Sequence, residues 1–174
     1  MSTVADPAEL GSNRAYEAAR LRWASQGDAE RLARLWREAC ADEASGDDVP
    51  DTTETMQGWL EHGGALVLED AQGRALCGLR WRWAGSGSGW RVDPIATLPE
   101  ARGQGFGRWL MTKVEALAIK RNVQSLSLTL PRAQEALLPY YQRLGYREVG
   151  RDGAGVELHK RVGGTWQRQP STAP

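Results

Sequence analysis

Phenylalanine is nearly missing from this chain: Phe106 is the only one, against eight tryptophans and four tyrosines. Indoles therefore fill core volume that phenyl rings take elsewhere, and we read most of Trp81, Trp83 and Trp90 as core rather than as the lining of a ligand groove. Cysteine is scarce too. Cys40 and Cys77 both lie in apolar patterns, which argues against a disulfide framework and marks each as a small buried hydrophobe in a reduced protein. His62 and His159 have no ligand spacing with either cysteine, so no metal is expected. Net charge is absent as well. The 22 basic residues balance 22 acidic ones, and without a basic field there is no drive toward nucleic acid. No apolar run approaches a membrane span and the first residues form no apolar signal core, so a soluble, cytoplasmic protein without a membrane partner is expected.

At 174 residues the chain buries roughly 70% of its unfolded surface, enough for one domain with a real core. Residues 1–18 read as a flexible arm, 19–162 as the domain, and 163–174 as a disordered tail. After a short strand at Leu21-Arg22-Trp23-Ala24, Asp28 is expected to cap a helix whose apolar residues Leu32, Leu35, Trp36 and Ala39 recur at helical spacing. An acidic loop, 42–51, leads to a second helix, with Asp51 and Glu54 resembling a capping box. Strands are expected at 65–69, 75–83, 90–98, 125–130, 146–150 and 156–160. Helices fall at 104–121 and 134–144, the latter with Pro139 inside it, where an interior proline costs ~3 kcal/mol or kinks the axis. The order predicts an α/β (α+β) fold: a mixed, mostly antiparallel seven-stranded sheet flanked by helices on both faces.

Arg102-Gly103-Gln104-Gly105-Phe106-Gly107 follows the apolar run Ile95-Ala96-Thr97-Leu98 and opens an amphipathic helix. Glycines at alternate positions allow positive φ, so backbone N–H groups can converge on one anion, and the helix start adds its own unpaired donors. A pyrophosphate cradle and a plain strand-to-helix turn both fit these six residues. The dinucleotide fingerprint fails at Arg108, and the mononucleotide loop ending in Gly-Lys-Ser/Thr is absent.

With Leu98-Pro99-Glu100 before it, the pattern Arg-x-x-Gly-x-Gly resembles the acetyl-CoA-binding motif of the GNAT superfamily of N-acyltransferases. Tyr140-Tyr141-Gln142-Arg143-Leu144-Gly145-Tyr146 is similar to that family's closing signature, and 21–35 looks like its opening strand and helix. The resemblance spans roughly residues 20–161. It implies acetyl-CoA as co-substrate and an amine-bearing acceptor, and leaves a homodimer open. It implies that the strand backbone at Ile95, Ala96 and Thr97 pairs with the pantetheine arm, and that Arg102, Gly103, Gln104, Gly105, Phe106 and Gly107 hold the pyrophosphate. Tyr141 occupies the position of the proton donor to the leaving thiolate. Gln134 stands where the family often has asparagine; it keeps the amide and lengthens the reach.

Attack by an amine on a thioester passes through a tetrahedral oxyanion that a strand N–H can hold, and a phenol can protonate the departing thiolate. An amine of pKa near 10.4 must first lose a proton, at a cost of roughly 4 kcal/mol at neutral pH. Asp93, which shares strand parity with Ile95 and Thr97, is the candidate base, and Glu69 is a second. Three functions stay open: acetylation of a small amine, a coenzyme-binding sensor without turnover, and acetylation of a protein N-terminus or lysine. The acidic loop favours a cationic acceptor. Arg80, Arg82 and Arg91 favour an anionic one if they face the same groove.

Overall fold

Strand β3 (Ala75–Trp83) organises the sheet, pairing with β2 (Gly63–Glu69) on one side and successively with β4 (Gly89–Val92) and β5 (Ala96–Thr97) on the other. The computed structural model describes residues 19–41, 52–85 and 89–163. The expected arm at 1–18, acidic loop at 42–51 and most of the expected tail lie outside the described residues. Strands β1 (Arg20–Trp23), β6 (Ser125–Pro131), β7 (Arg147–Arg151) and β8 (Gly155–Arg161) complete the order β1-β2-β3-β4-β6-β8-β7, with β5 set against β3. Every pairing is antiparallel except that of β4 with β6.

The described sheet has eight strands where seven were expected, because the run 90–98 breaks. Pro94 has no amide for a ladder, and residues 93–95 leave regular pairing between β4 and β5. Asp93 N–H still donates to Arg80 O at 3.0 Å, and Leu98 N–H to Leu76 O at 3.0 Å, so both fragments stay with β3. They do not both stay with β6. Pairing to β6 covers only Gly89, Trp90 and Arg91 against Ser125, Leu126 and Ser127, while β6 continues beside β8 to Pro131. The sheet therefore splits into a V between β5 and β6.

Helix α1 (Ala29–Ala39) buries Leu32, Leu35, Trp36 and Ala39, and with α2 (Thr53–Glu61) covers one sheet face. Contact is close: a Cβ on Gly78 would stand 2.8 Å from the Trp36 ring. Helix α3 (Phe106–Lys120) turns Phe106, Leu110, Met111, Val114 and Ala118 inward and packs on β2, β3, β5 and β6. Trp81 and Trp90 are buried and stacked with centroids 5.3 Å apart, as core indoles. Trp83, on the same strand, is 55% exposed.

The helix starts differ from expectation. Ahead of α1 a 3-10 turn (Gln26–Asp28) begins at Ser25, and Asp28 reaches back to accept from the Ser25 backbone N–H at 2.7 Å. Asp28 is thus the third residue of a box capped by Ser25. Likewise Thr52 caps α2, accepting from Thr55 N–H at 3.2 Å, while Asp51 lies outside the described residues. The expected helix at 134–144 divides into a 3-10 turn (Arg132–Leu137) and α4 (Leu138–Arg143). Pro139 falls in the first turn of α4, where the missing N–H costs no hydrogen bond. No described helix is long and apolar enough to cross a membrane.

Candidate active site

The V opens onto a cavity of about 480 Å³. Ile95 and Thr97 form one wall, and the turn contributes Arg102, Gly103, Gly105, Phe106, Gly107 and Arg108. Gln134, Leu137, Tyr140 and Tyr141 close it from the α4 side, and Ala39 and Cys40 from the end of α1.

The turn is built from left-handed backbone. Gly103 has φ 73° and Gly105 φ 81°, values an L side chain adopts only with strain. The first i→i−4 bond of α3 is donated by Trp109 to Gly105 O at 3.1 Å. The amides of Gly103, Gln104, Gly105, Gly107 and Arg108 therefore precede the helical ladder. No acidic residue sits in the first turn of α3, so nothing there offsets its positive end.

Side chains in the turn act as braces. Arg102 Nη2 donates to Ala39 O at 2.7 Å and Nε to Thr97 O at 3.3 Å, which ties the turn to α1 and β5. Gln104 Nε2 donates to Glu100 O at 3.2 Å, and Gln104 is not part of the lining. Ala96 is buried opposite Gly78 in the β3 pairing, so Ile95 and Thr97 face the cavity and Ala96 does not.

Tyr141 is 2% exposed yet borders the cavity. Burial pushes its phenol well above the usual tyrosine range, the neighbouring Tyr140 adds to this, and a hydrogen bond from the Ile95 backbone opposes it. A neutral hydroxyl is thus held beside β5. Tyr140 meets Tyr141 edge-on at 5.1 Å, and burial pushes its own phenol up to about 12. Tyr140, which the sequence marks only as part of the family signature, also lines the cavity. Leu137, Tyr140 and Tyr141 stand at i, i+3 and i+4, a spacing that could have flagged a shared face.

Neither candidate base lines the cavity. Asp93 is outside the cavity lining, and its Oδ2 accepts from Arg80 Nε at 2.7 Å and Nη2 at 2.5 Å. The Arg80 guanidinium lies over Trp36 at 4.7 Å and Trp59 at 4.8 Å, so ring faces fix the pair. Glu69 is held by Arg22 at 2.7 Å and Arg31 at 2.7 Å, is buried, and does not line the cavity. Its environment is that of a structural ion pair. Among the described residues no group of three or more His, Cys, Asp or Glu could hold a metal.

This split sheet, glycine turn and buried tyrosine are the parts of an acyl-coenzyme A transferase fold. Residues 29–146 match the Acetyltransferase (GNAT) family, and the chain belongs to that family. It is 34% identical over 112 residues to the S-alkylcysteine N-acetyltransferase of Bacillus subtilis, a match covering 58% of this chain and 63% of that protein. The chain thus aligns with under two thirds of that relative's length. Among solved structures it resembles the PaiA N-acetyltransferase of Thermoplasma acidophilum in complex with coenzyme A, with a TM-score of 0.71 and 15% identity over 83% of this chain and 99% of that one. It also resembles the ribosomal-protein-S18-alanine N-acetyltransferase of Escherichia coli, with a TM-score of 0.70 and 16% identity over 86% and 97% of the two chains. At these identities the structural likeness speaks for the fold alone.

Proposed function

We propose that the protein transfers the acetyl group of acetyl-CoA to a primary amine on a small-molecule acceptor. The carrying observation is that one cavity joins the amides of a left-handed glycine turn, an unpaired strand edge and a buried neutral tyrosine. These features fit the coenzyme. The turn offers N–H donors and a helix N-terminus to a pyrophosphate, with Gly107 leaving room at the mouth. The edge of β5 away from β3 pairs with no strand, and its Thr97 N–H can serve an amide-rich arm as it would an added strand, while Thr97 O already accepts from Arg102. Gln134 reaches the same cavity and can contact that arm through its amide.

When bound, acetyl-CoA would supply a thioester whose acetyl carbon is open to attack by an amine, forming the C–N bond as the C–S bond breaks and coenzyme A departs as a thiolate. Tyr141 holds the proton for that sulfur at its hydroxyl, and the dry surroundings keep the proton in place until negative charge develops. Ile95 N–H orients the same hydroxyl. Asp93 is proposed to take the amine proton, directly or through water, with Arg80 fixing the carboxylate. The name of the Bacillus subtilis relative, an enzyme of S-alkylcysteine, supports a small acceptor. The test is a thermal-shift titration with acetyl-CoA followed by thiol release against a panel of amines. Stabilisation by the coenzyme and amine-dependent thiol release are expected. No stabilisation, or no release with any amine, would overturn the reading.

A further inference from the structure

Antiparallel register puts Arg82 directly opposite Arg91, and the same row continues to Arg80 and Asp93. Residues opposite one another on paired strands share a face, so all three arginines lie on the α1–α2 side of the sheet. Two like charges in such a position repel each other, and the fold normally offsets them with a counter-ion. Arg80 has one in Asp93. Arg82 and Arg91 form no ion pair among the described residues. Arg82 is exposed and lies over the Trp59 ring at 4.7 Å. Arg91 donates from Nη2 to Thr129 Oγ1 at 2.7 Å, across the joint between β4 and β6.

That single bond orients the guanidinium and leaves Nε and Nη1 without a hydrogen-bond partner among the described residues. A planar fork with free donors is matched to a carboxylate. Ser127 pairs with Arg91 in the parallel register and with His159 beyond it, so the neighbouring surface is polar and half-buried. Glu157, opposite Thr129, makes no ion pair with Arg91. Arg91 does not line the cavity but stands two residues before the proposed base Asp93, about 6–7 Å along the strand.

We infer that the acceptor is an α-amino acid whose carboxylate is received by Arg91, with Arg82 adding to the positive field. The inference rests on the N-acetyl transfer reading and names the acceptor class for that site. In an α-amino acid the carboxylate and amine share one carbon, so a carboxylate held at Arg91 delivers the nitrogen toward Asp93 and the split. This face of the sheet thereby favours an anion, against the cationic acceptor expected from the acidic loop, whose residues lie outside the described ones.

The experiment compares kcat/KM for matched triplets: an α-amino acid, its methyl ester and its decarboxylated amine, with alkyl, thioether and aromatic side chains. The acid is expected to be the best member of its triplet by on the order of 100-fold. Arg91→Gln should remove that preference mainly through the KM of the acid, leaving coenzyme-induced thermal stabilisation intact. Thr129→Val keeps the charge and loses its orientation, and should cost the acid about 10-fold. Turnover that ignores the carboxylate, or an Arg91→Gln loss shared equally by acid and ester, overturns this inference alone. Coenzyme binding without turnover of any triplet overturns it together with the transfer reading.

Discussion

A Cβ on Gly107 would stand 3.3 Å from Ile95 Cδ1, closer than side chains ordinarily pack. The first turn of α3 therefore packs tightly on the Ile95 side chain, with the Tyr140 hydroxyl 3.6 Å from the same point. Gly107→Val should fold with a small shift of the flexible Ile95 side chain, and its bulk at the cavity lining should raise the KM for acetyl-CoA by on the order of 10-fold. Steady-state kinetics and a thermal melt check both parts. Unchanged KM in a folded variant would mean that the coenzyme lies elsewhere.

Gly105→Glu tests the turn itself. At φ 81° an L residue is strained, by about 1–2 kcal/mol, and a carboxylate there opposes any phosphate. The variant should remain folded and lose acetyl-CoA affinity by more than 10-fold, as read by calorimetry.

Tyr141→Phe keeps the ring and removes the proton. We expect kcat to fall by about 10²–10⁴-fold while the KM for acetyl-CoA changes little. The raised phenol keeps its proton past the ordinary tyrosine value of 10.0, so the wild-type kcat profile should show no alkaline limb from this group below that pH. Wild-type turnover in Tyr141→Phe would assign thiolate protonation to solvent or to Tyr140.

Asp28→Asn probes the ion network at the start of α1. The Arg22 fork holds the Asp28 carboxyl well below the usual carboxylate range, against the opposing effect of burial. Because the folded value is depressed, the carboxylate stabilises the fold above its ordinary value of 3.8, and that contribution is lost as pH falls through the lower folded value. At neutral pH the variant should lose about 2 kcal/mol. That corresponds to a Tm lower by roughly 4–8 °C. The gap to wild type should narrow in melts run below pH 4.

Pro139→Ala separates two readings of one residue. Inside a helix, removing a proline would stabilise by ~3 kcal/mol. In the first turn of α4 it should change Tm by less than about 2 °C.

Local periodicity made most of the fold legible. Leu32, Leu35, Trp36 and Ala39 marked α1, and the alternation of Leu79 and Trp81 with Arg80 and Arg82 marked β3, because each pattern is set by one element's own geometry. The glycine turn was legible for the same reason and Tyr141 through the likeness of its segment to the family signature, and both reach the cavity. Relationships between elements were not. Asp93 and Glu69 looked alike as carboxylates, but strand register sets Arg80 against the first and Arg22 against the second, and Arg31 reaches Glu69 from α1. The break at Pro94 divided a strand that composition alone read as continuous, and Ser25 and Thr52 took the capping positions assigned to Asp28 and Asp51.

The two halves of the sheet meet through three residue pairs, Gly89–Ser125, Trp90–Leu126 and Arg91–Ser127, with the Arg91–Thr129 hydrogen bond alongside. Mechanically this is a narrow hinge at the apex of a wedge, and the arms beyond it have no backbone bonds to each other. A ligand seated between the arms acts as a splint. It adds bonds where the two arms have none to each other, and amide exchange at Thr97 should slow far more on coenzyme binding than exchange at Trp90 or Leu126. On the proposed function, continuity of the sheet across the wedge is supplied by the coenzyme and not by the chain.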